Sequence, residues 1–189
     1  VGWVELPFFG KWAYSLPNDL TAIQGEVLKR ETILLPNYPT NPTGAVAPRE
    51  FLATAVQFAR RHRLILAHDA PYSEMAYDGY RAESVLSVPG AKEVAVEFHS
   101  LSKTYSLAGW RLGFLVGNAQ MVKALADLKT NIDSGIPTAI QVMGSAALSG
   151  DQSWIPARNA IYARRRDIVC DGLAAMGLRI PRPKAGLYV

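Results

Sequence analysis

Lys103 is the residue best suited to covalent chemistry in this sequence. It ends the run Ser100-Leu101-Ser102-Lys103, which follows an apolar stretch at 94–98. A lysine just past a buried strand is partly desolvated, which lowers its pKa and leaves a neutral amine able to form a Schiff base with an aldehyde. Taken alone, it reads more simply as an ammonium in water at a strand end. Ser100 and Ser102 offer hydroxyls to an anion. Arg111, within Gly109-Trp110-Arg111-Leu112-Gly113, offers a guanidinium suited to phosphate, with small residues on both sides that allow close approach. By itself such an arginine is more often a structural ion-pair partner. Asp69 follows the nearly uncharged run 64–67. A carboxylate there requires a cation or several donors, and a protonated pyridine nitrogen is one suitable cation. Capping of the next segment, Ala70-Pro71-Tyr72, is an equally good local reading. Tyr72 is close enough in sequence to share the site. Asn41 sits in the turn Asn41-Pro42-Thr43-Gly44, where its amide can donate to a phenolate oxygen; the same four residues also make a plain turn, and Pro42 excludes glycosylation.

The elements that must position these groups alternate strand and helix. Apolar periodicity predicts a helix over 19–29 and a buried strand over 32–35, followed by turn chemistry at 37–44. A helix is expected from Pro48 to about residue 62 and a second buried strand over 64–67. Further strands are expected at 94–98 and 112–116, and helices at 119–129, 138–148 and 152–176. The last helix carries Trp154, Ile155, Ile161, Tyr162, Ile168, Val169, Ala175 and Met176 as one stripe expected to be buried, with Cys170 beside it as a core thiol. Residues 1–7 read as a strand already under way and 186–189 as a strand just entered. Such alternation predicts an α/β fold, a three-layer sandwich around a mostly parallel central sheet. In such sheets ligands sit beyond the carboxyl ends of strands, and 37–44, 68–72 and 100–103 each follow a predicted strand.

A lysine for an imine, an aspartate for a pyridinium, an asparagine and a tyrosine for a phenolate, and a serine–arginine anion site together describe a pyridoxal 5'-phosphate (PLP) site. On three stretches the chain resembles the class I/II aminotransferases of the fold-type I PLP enzymes: Asn37-Tyr38-Pro39-Thr40-Asn41-Pro42-Thr43-Gly44, Asp69-Ala70-Pro71-Tyr72, and Ser100-Leu101-Ser102-Lys103-Thr104-Tyr105 continuing through Gly113. The intervals of 28 residues from Asn41 to Asp69, 34 to Lys103 and 8 to Arg111 fit the family as well. The resemblance implies a PLP-dependent transaminase working by two half-reactions. Lys103 would be the Schiff-base lysine and proton carrier, and Asp69 the partner of the ring nitrogen. Asn41 and Tyr72 would serve the phenolic oxygen, and Ser100, Ser102 and Arg111 the phosphate. It also implies amino acid and 2-oxo acid substrates and a homodimer. Residues 1–150 would be most of a large PLP-binding domain, 151–180 a long interdomain helix and connector, and 181–189 the beginning of a small domain. Phosphate-binding and substrate-carboxylate groups of the family would lie outside this sequence. Ser102-Lys103-Thr104-Tyr105 and Asn131-Ile132-Asp133-Ser134-Gly135 look most like the branch with LL-diaminopimelate and related aspartate aminotransferases.

Composition narrows the alternatives. The 189 residues hold 49% hydrophobic and 19% charged residues, an ordinary globular balance. A single cysteine excludes an intrachain disulfide framework or a cysteine-based zinc site, no metal is called for, and a reducing, cytoplasmic setting is expected. No run of about 18 apolar residues suggests a membrane span. The net charge of +4 is scattered, which argues against nucleic acid; the one dense run, Arg164-Arg165-Arg166, is expected to be a solvated helix face. Ser100-x-x-Lys103 also fits the serine acylases that recognise penicillin, but the Ser-Asp-Asn and Lys-Thr-Gly partners of that motif are absent. A PLP-fold domain that binds or regulates without turnover remains a second reading, and an inactive fragment a third.

Overall fold

Residues 49–62 show how the sheet acquires its cover. Pro48 opens helix α2 (Arg49–His62) with extended φ and ψ, Glu50 lies in its positive first turn, and Arg60, Arg61 and His62 lie in its negative last turn. Arg63 ends it in the left-handed region, its N–H reaching the carbonyls of Ala59 and Arg60. Phe51, Leu52, Ala55, Val56 and Ala59 recur on one face and are all buried. They pack with Leu34, Leu66, Val85, Val88, Ala91 and Ala95 in the main core.

The computed structural model describes Leu20, Ile23, residues 25–30 and residues 32–189. The expected strand at 1–7 lies outside them, as do residues 19, 21, 22 and 24 of the expected helix at 19–29; within the rest of that range only α1 (Gly25–Leu28) is helical. The sheet runs in order β1 (Ile33–Leu34), β2 (Ile65–Asp69), β3 (Ala95–Ser100) and β4 (Gly113–Gly117). β1 pairs β2 in parallel, with Ile33 opposite Ile65, and β2 pairs β3 in parallel, with Asp69 opposite Phe98. β4 runs antiparallel to β3, with Ser100 opposite Gly113. A parallel return needs a long crossover. α2 provides one between β1 and β2. A 3-10 turn at Val85–Ser87 and the short α3 (Ala91–Val94) lie on the one between β2 and β3. Between β3 and β4 there is only α4 (Leu101–Thr104) and a 3-10 turn at Ala108–Trp110, so the chain doubles back. Gly113 allows this closeness, since a Cβ there would stand 2.7 Å from the His99 carbonyl oxygen.

Helices α5 (Ala119–Ile132), α6 (Thr138–Ser149) and α7 (Ile155–Ala175) complete the chain close to the predicted bounds. Three expectations need correction. The apolar stripe of α7 is largely exposed: Ile155 is buried, but Ile161, Ile168, Val169 and Met176 face solvent. The inner side of α7 carries Arg166 beside Ile155 and Cys170, all buried, with Arg158 reaching the carbonyls of Lys103 and Glu74. Arg164 and Arg165 are exposed as expected, yet Arg166 is only 6% exposed. It turns inward because Asp78 takes two of its N–H groups, at 2.6 and 3.2 Å, and the Pro183 carbonyl takes another at 2.9 Å. The strand expected to be buried over 32–35 is short and only partly so: Leu34 is buried, whereas Ile33 is 55% and Leu35 65% exposed. Cys170 is a buried free thiol, as expected. No described helix is long and apolar enough to cross a membrane.

Candidate functional site

Asp69 closes β2 at its carboxyl end, half-buried after the buried run of Leu66, Ala67 and His68. Its position is set from both directions. The Asp69 N–H donates to the Pro36 carbonyl at 2.9 Å, and the Tyr38 N–H donates to the Asp69 carbonyl at 3.1 Å. Its carboxylate is held by Asn37, whose Nδ2 donates to Asp69 Oδ2 and to the Asp69 carbonyl, each at 3.0 Å. The other end of the same amide, Oδ1, accepts the N–H of Asn41 at 2.9 Å. One side chain therefore aligns the Asp69 carboxylate with the turn that carries Asn41. Burial pushes the Asp69 carboxyl above the usual carboxylate range, while neighbouring His68 and the Asn37 hydrogen bond pull it down. A half-buried carboxylate with a raised pKa favours a cation brought against it.

Asn41 stands at the exposed lip of its turn, and its Nδ2 lies 3.5 Å from the hydroxyl of buried Tyr72. Burial raises the Tyr72 phenol far above its ordinary value, against the opposing pull of Asn41. Tyr72 is thus a protonated donor over the whole physiological range. Lys103, on α4, reaches the same point: its Nζ lies 5.6 Å from the Tyr72 ring centroid. Ser100 caps α4 by accepting the Ser102 N–H at 3.2 Å, which leaves the Ser100 hydroxyl proton available to a ligand. Ser102 is buried beside it. The backbone also brings Arg111 near, because the Leu101 N–H donates to the Leu112 carbonyl at 3.0 Å. The Arg111 guanidinium folds back on its own loop and donates to the Ala108 carbonyl at 2.9 Å. Arg111 has φ of 54°, a left-handed backbone that costs a non-glycine residue about 1–2 kcal/mol.

The structure thus draws Asn41, Asp69, Tyr72 and Lys103 together at the carboxyl ends of β2 and β3, and sets Ser100, Ser102 and Arg111 on one adjoining loop. These groups can offer an amine, a carboxylate that favours a cation, two donors for an anionic oxygen, and hydroxyls with a guanidinium for a phosphate. Among the described residues no group of side chains could hold a metal ion.

Several contributors gave no sequence signal of their own. Asn37 looked like one more turn residue. Arg158, on α7, donates to the carbonyls of Lys103, at 3.3 Å, and of Thr104, and to that of Glu74 at 2.8 Å, so it ties α7 to both site loops. Tyr188 lies against Tyr72, ring to ring and hydroxyl to hydroxyl. On the other face of the sheet Glu97 accepts from His68 Nδ1 at 3.0 Å, His99 Nε2 at 2.7 Å and the Val85 N–H at 2.8 Å. Burial pushes the Glu97 carboxyl up, but these bonds outweigh it and hold it well below the usual range. This cluster fixes β2 to β3 directly behind Asp69 and Ser100.

A family sequence model described as aminotransferase class I and II matches residues 11–189. LL-diaminopimelate aminotransferase of Dehalococcoides mccartyi is 53% identical over 171 residues, which cover 90% of this chain and 44% of that protein. The protein of the same name from Syntrophobacter fumaroxidans is 50% identical over 98% of this chain and 50% of its own length. The chain therefore spans about half the length of the curated relatives it matches. Among solved structures, BacF of Bacillus subtilis in its apo form superposes with a TM-score of 0.90 at 34% identity, over 97% of this chain and 46% of that one. Aspartate aminotransferase from Thermus thermophilus with maleate gives 0.73 at 31% identity, over 82% and 40%.

Proposed function

The chain belongs to the class I and II aminotransferases, and from that premise we propose that the whole protein transfers an amino group between an amino acid and a 2-oxo acid, using PLP held at Lys103. The observation that carries this reading is the convergence of Lys103, Asn41 and Asp69 on Tyr72 and its loop. The residues fit the cofactor on chemical grounds. Asp69, with burial raising its pKa, is suited to a protonated ring nitrogen. Tyr72 and Asn41 donate to the phenolic oxygen, and Ser100, Ser102 and Arg111 bind the phosphate. When bound, the cofactor supplies an electron sink for the carbanion formed at the substrate's Cα. Lys103 supplies the amine that holds it and carries the proton removed from Cα. Asp69 keeps the ring nitrogen charged, and Tyr72 keeps its proton on the anionic oxygen.

The relatives near 50% identity are named LL-diaminopimelate aminotransferases, which favours a diamino dicarboxylic acid as amino donor. Residues 1–150 form a large cofactor-binding domain, 151–180 the interdomain helix and connector, and 181–189 the start of a small domain. The protein works as a homodimer in the cytoplasm. The test is a panel of amino donors, with LL-diaminopimelate, aspartate, alanine, glutamate and phenylalanine each supplied to the full-length protein with 2-oxoglutarate. LL-diaminopimelate should give the highest kcat/KM, and Lys103→Ala should abolish turnover. Turnover retained by Lys103→Ala would refute the assignment of the lysine, and a preference for another donor would refute the substrate.

A further inference from the structure

Tyr188 meets Tyr72 from a segment far away in sequence. The two rings pack edge to face with centroids 6.1 Å apart, and their hydroxyl oxygens are 3.3 Å apart. The segment that carries Tyr188 is fastened to the loops of the site rather than resting on them. The Gly186 N–H donates to the Met75 carbonyl and the Tyr77 N–H to the Lys184 carbonyl, each at 2.9 Å. The Tyr77 hydroxyl donates to the Gly186 carbonyl, and Ala76 and Ala185 form an antiparallel bridge. On its other side the segment lies on the Asn41 turn, so tightly that a Cβ on Gly44 would come within 2.8 Å of Pro183 Cβ. The backbone that positions Tyr188 is thereby joined to both loops that position Asn41 and Tyr72.

Counting protons gives this contact a direction. The Tyr72 hydroxyl has one proton and two lone pairs, and the amide nitrogen of Asn41 can only donate. Were Tyr72 to give its proton to Tyr188, it would have none for a ligand. If Tyr188 donates instead, the Tyr72 oxygen accepts from Asn41 and Tyr188, and its own proton is directed at whatever binds beside it. An anionic ligand oxygen, which can only accept, selects the second arrangement. The separations of 3.3 and 3.5 Å are longer than a tight hydroxyl bond.

We propose that Tyr188 is a positioning residue: it donates to the Tyr72 oxygen and so fixes Tyr72 as the donor to the phenolic oxygen of PLP. This rests on the cofactor reading given above. The other groups facing Tyr72 are Asp69, Asn41 and the Lys103 Nζ over its ring.

The test uses full-length protein loaded with PLP, as wild type, Y188F, Y72F and the double variant Y72F/Y188F. The readout is the pH midpoint of the visible absorption band of the bound cofactor, with thermal unfolding as a control for packing. Donation to the phenolic oxygen keeps that midpoint low, so Y72F moves it upward. A hydrogen bond feeding the next strengthens it by roughly 10–30%, so Y188F should move the midpoint upward by about a tenth to a third of the Y72F shift. In the Y72F background the Y188F change should add nothing, since Tyr188 acts through Tyr72. An unmoved midpoint in Y188F, even with a lower melting temperature, overturns the proposal, as does an equal shift in both backgrounds. A wild-type protein that develops no visible band overturns the cofactor reading and this inference with it, whereas a normal band with an unmoved Y188F overturns this inference alone.

Discussion

Replacing Asn37 with alanine separates positioning from contact, because Asn37 aligns two groups of the site at once. Its amide donates to Asp69 Oδ2 and to the Asp69 carbonyl at 3.0 Å and accepts from the Asn41 N–H at 2.9 Å. A hydrogen bond to a charged group is worth roughly 1.5–3 kcal/mol. If only the carboxylate bond is felt in cofactor affinity, Asn37→Ala weakens PLP binding by about 10- to 150-fold, at 1.4 kcal/mol per decade. The pH dependence has a definite sign. Burial raises Asp69 above its ordinary 3.8, and Asn37 opposes that rise. For a carboxyl raised in this way, the stability it contributes is complete below the ordinary value and is lost as pH rises through the folded value. Without Asn37 that folded value climbs further, so the acid limb of cofactor binding, which needs ionised Asp69, moves to higher pH. Asn37→Asp should weaken binding more than alanine does, because a second carboxylate would stand within hydrogen-bond reach of the first. The assay is a fluorescence titration of PLP into full-length apoprotein across the acid range. A Kd and an acid limb unchanged in Asn37→Ala would refute the positioning argument.

Two further substitutions probe the supports of the site. Glu97 is held below its ordinary 4.5, so its stabilisation is present above that pH and lost as pH falls toward the lowered folded value. Glu97→Gln should cost roughly 1–3 kcal/mol at neutral pH and remove that acid loss, as read by urea unfolding at a series of pH values. Equal acid sensitivity in the variant would contradict the assignment. Gly44 has φ of 65° and lies beneath Pro183, so Gly44→Ala adds about 1–2 kcal/mol of backbone strain to a steric clash. Its melting temperature should fall, and a melting temperature equal to wild type would show that residues 183–188 do not pack on the turn.

The clustering of the candidate site was legible where residue type and strand-end position coincide. Lys103, Asp69 and the Asn41 turn each follow a predicted strand, and the structure brings them together as those positions require. The helices from α5 onward also followed their periodicity closely. Contacts between distant parts of the chain were not legible. Asn37 joins a partner 32 residues away and Tyr188 one 116 residues away, and neither leaves a local pattern. A periodic stripe records which face of a helix is apolar, not what lies against it, so α7 could present Ile161 and Ile168 to solvent while burying Arg166. The reversal of β4 follows from the short connection between Ser100 and Gly113, which sets strand direction more firmly than apolar content does.

The central claim is that Lys103 holds the cofactor. Borohydride reduction of the full-length protein after incubation with PLP, followed by peptide mapping, tests it directly. The phosphopyridoxyl group should be found on the peptide containing Lys103, at about one per chain. A label on a different lysine, or none on a protein that still transaminates, would contradict it.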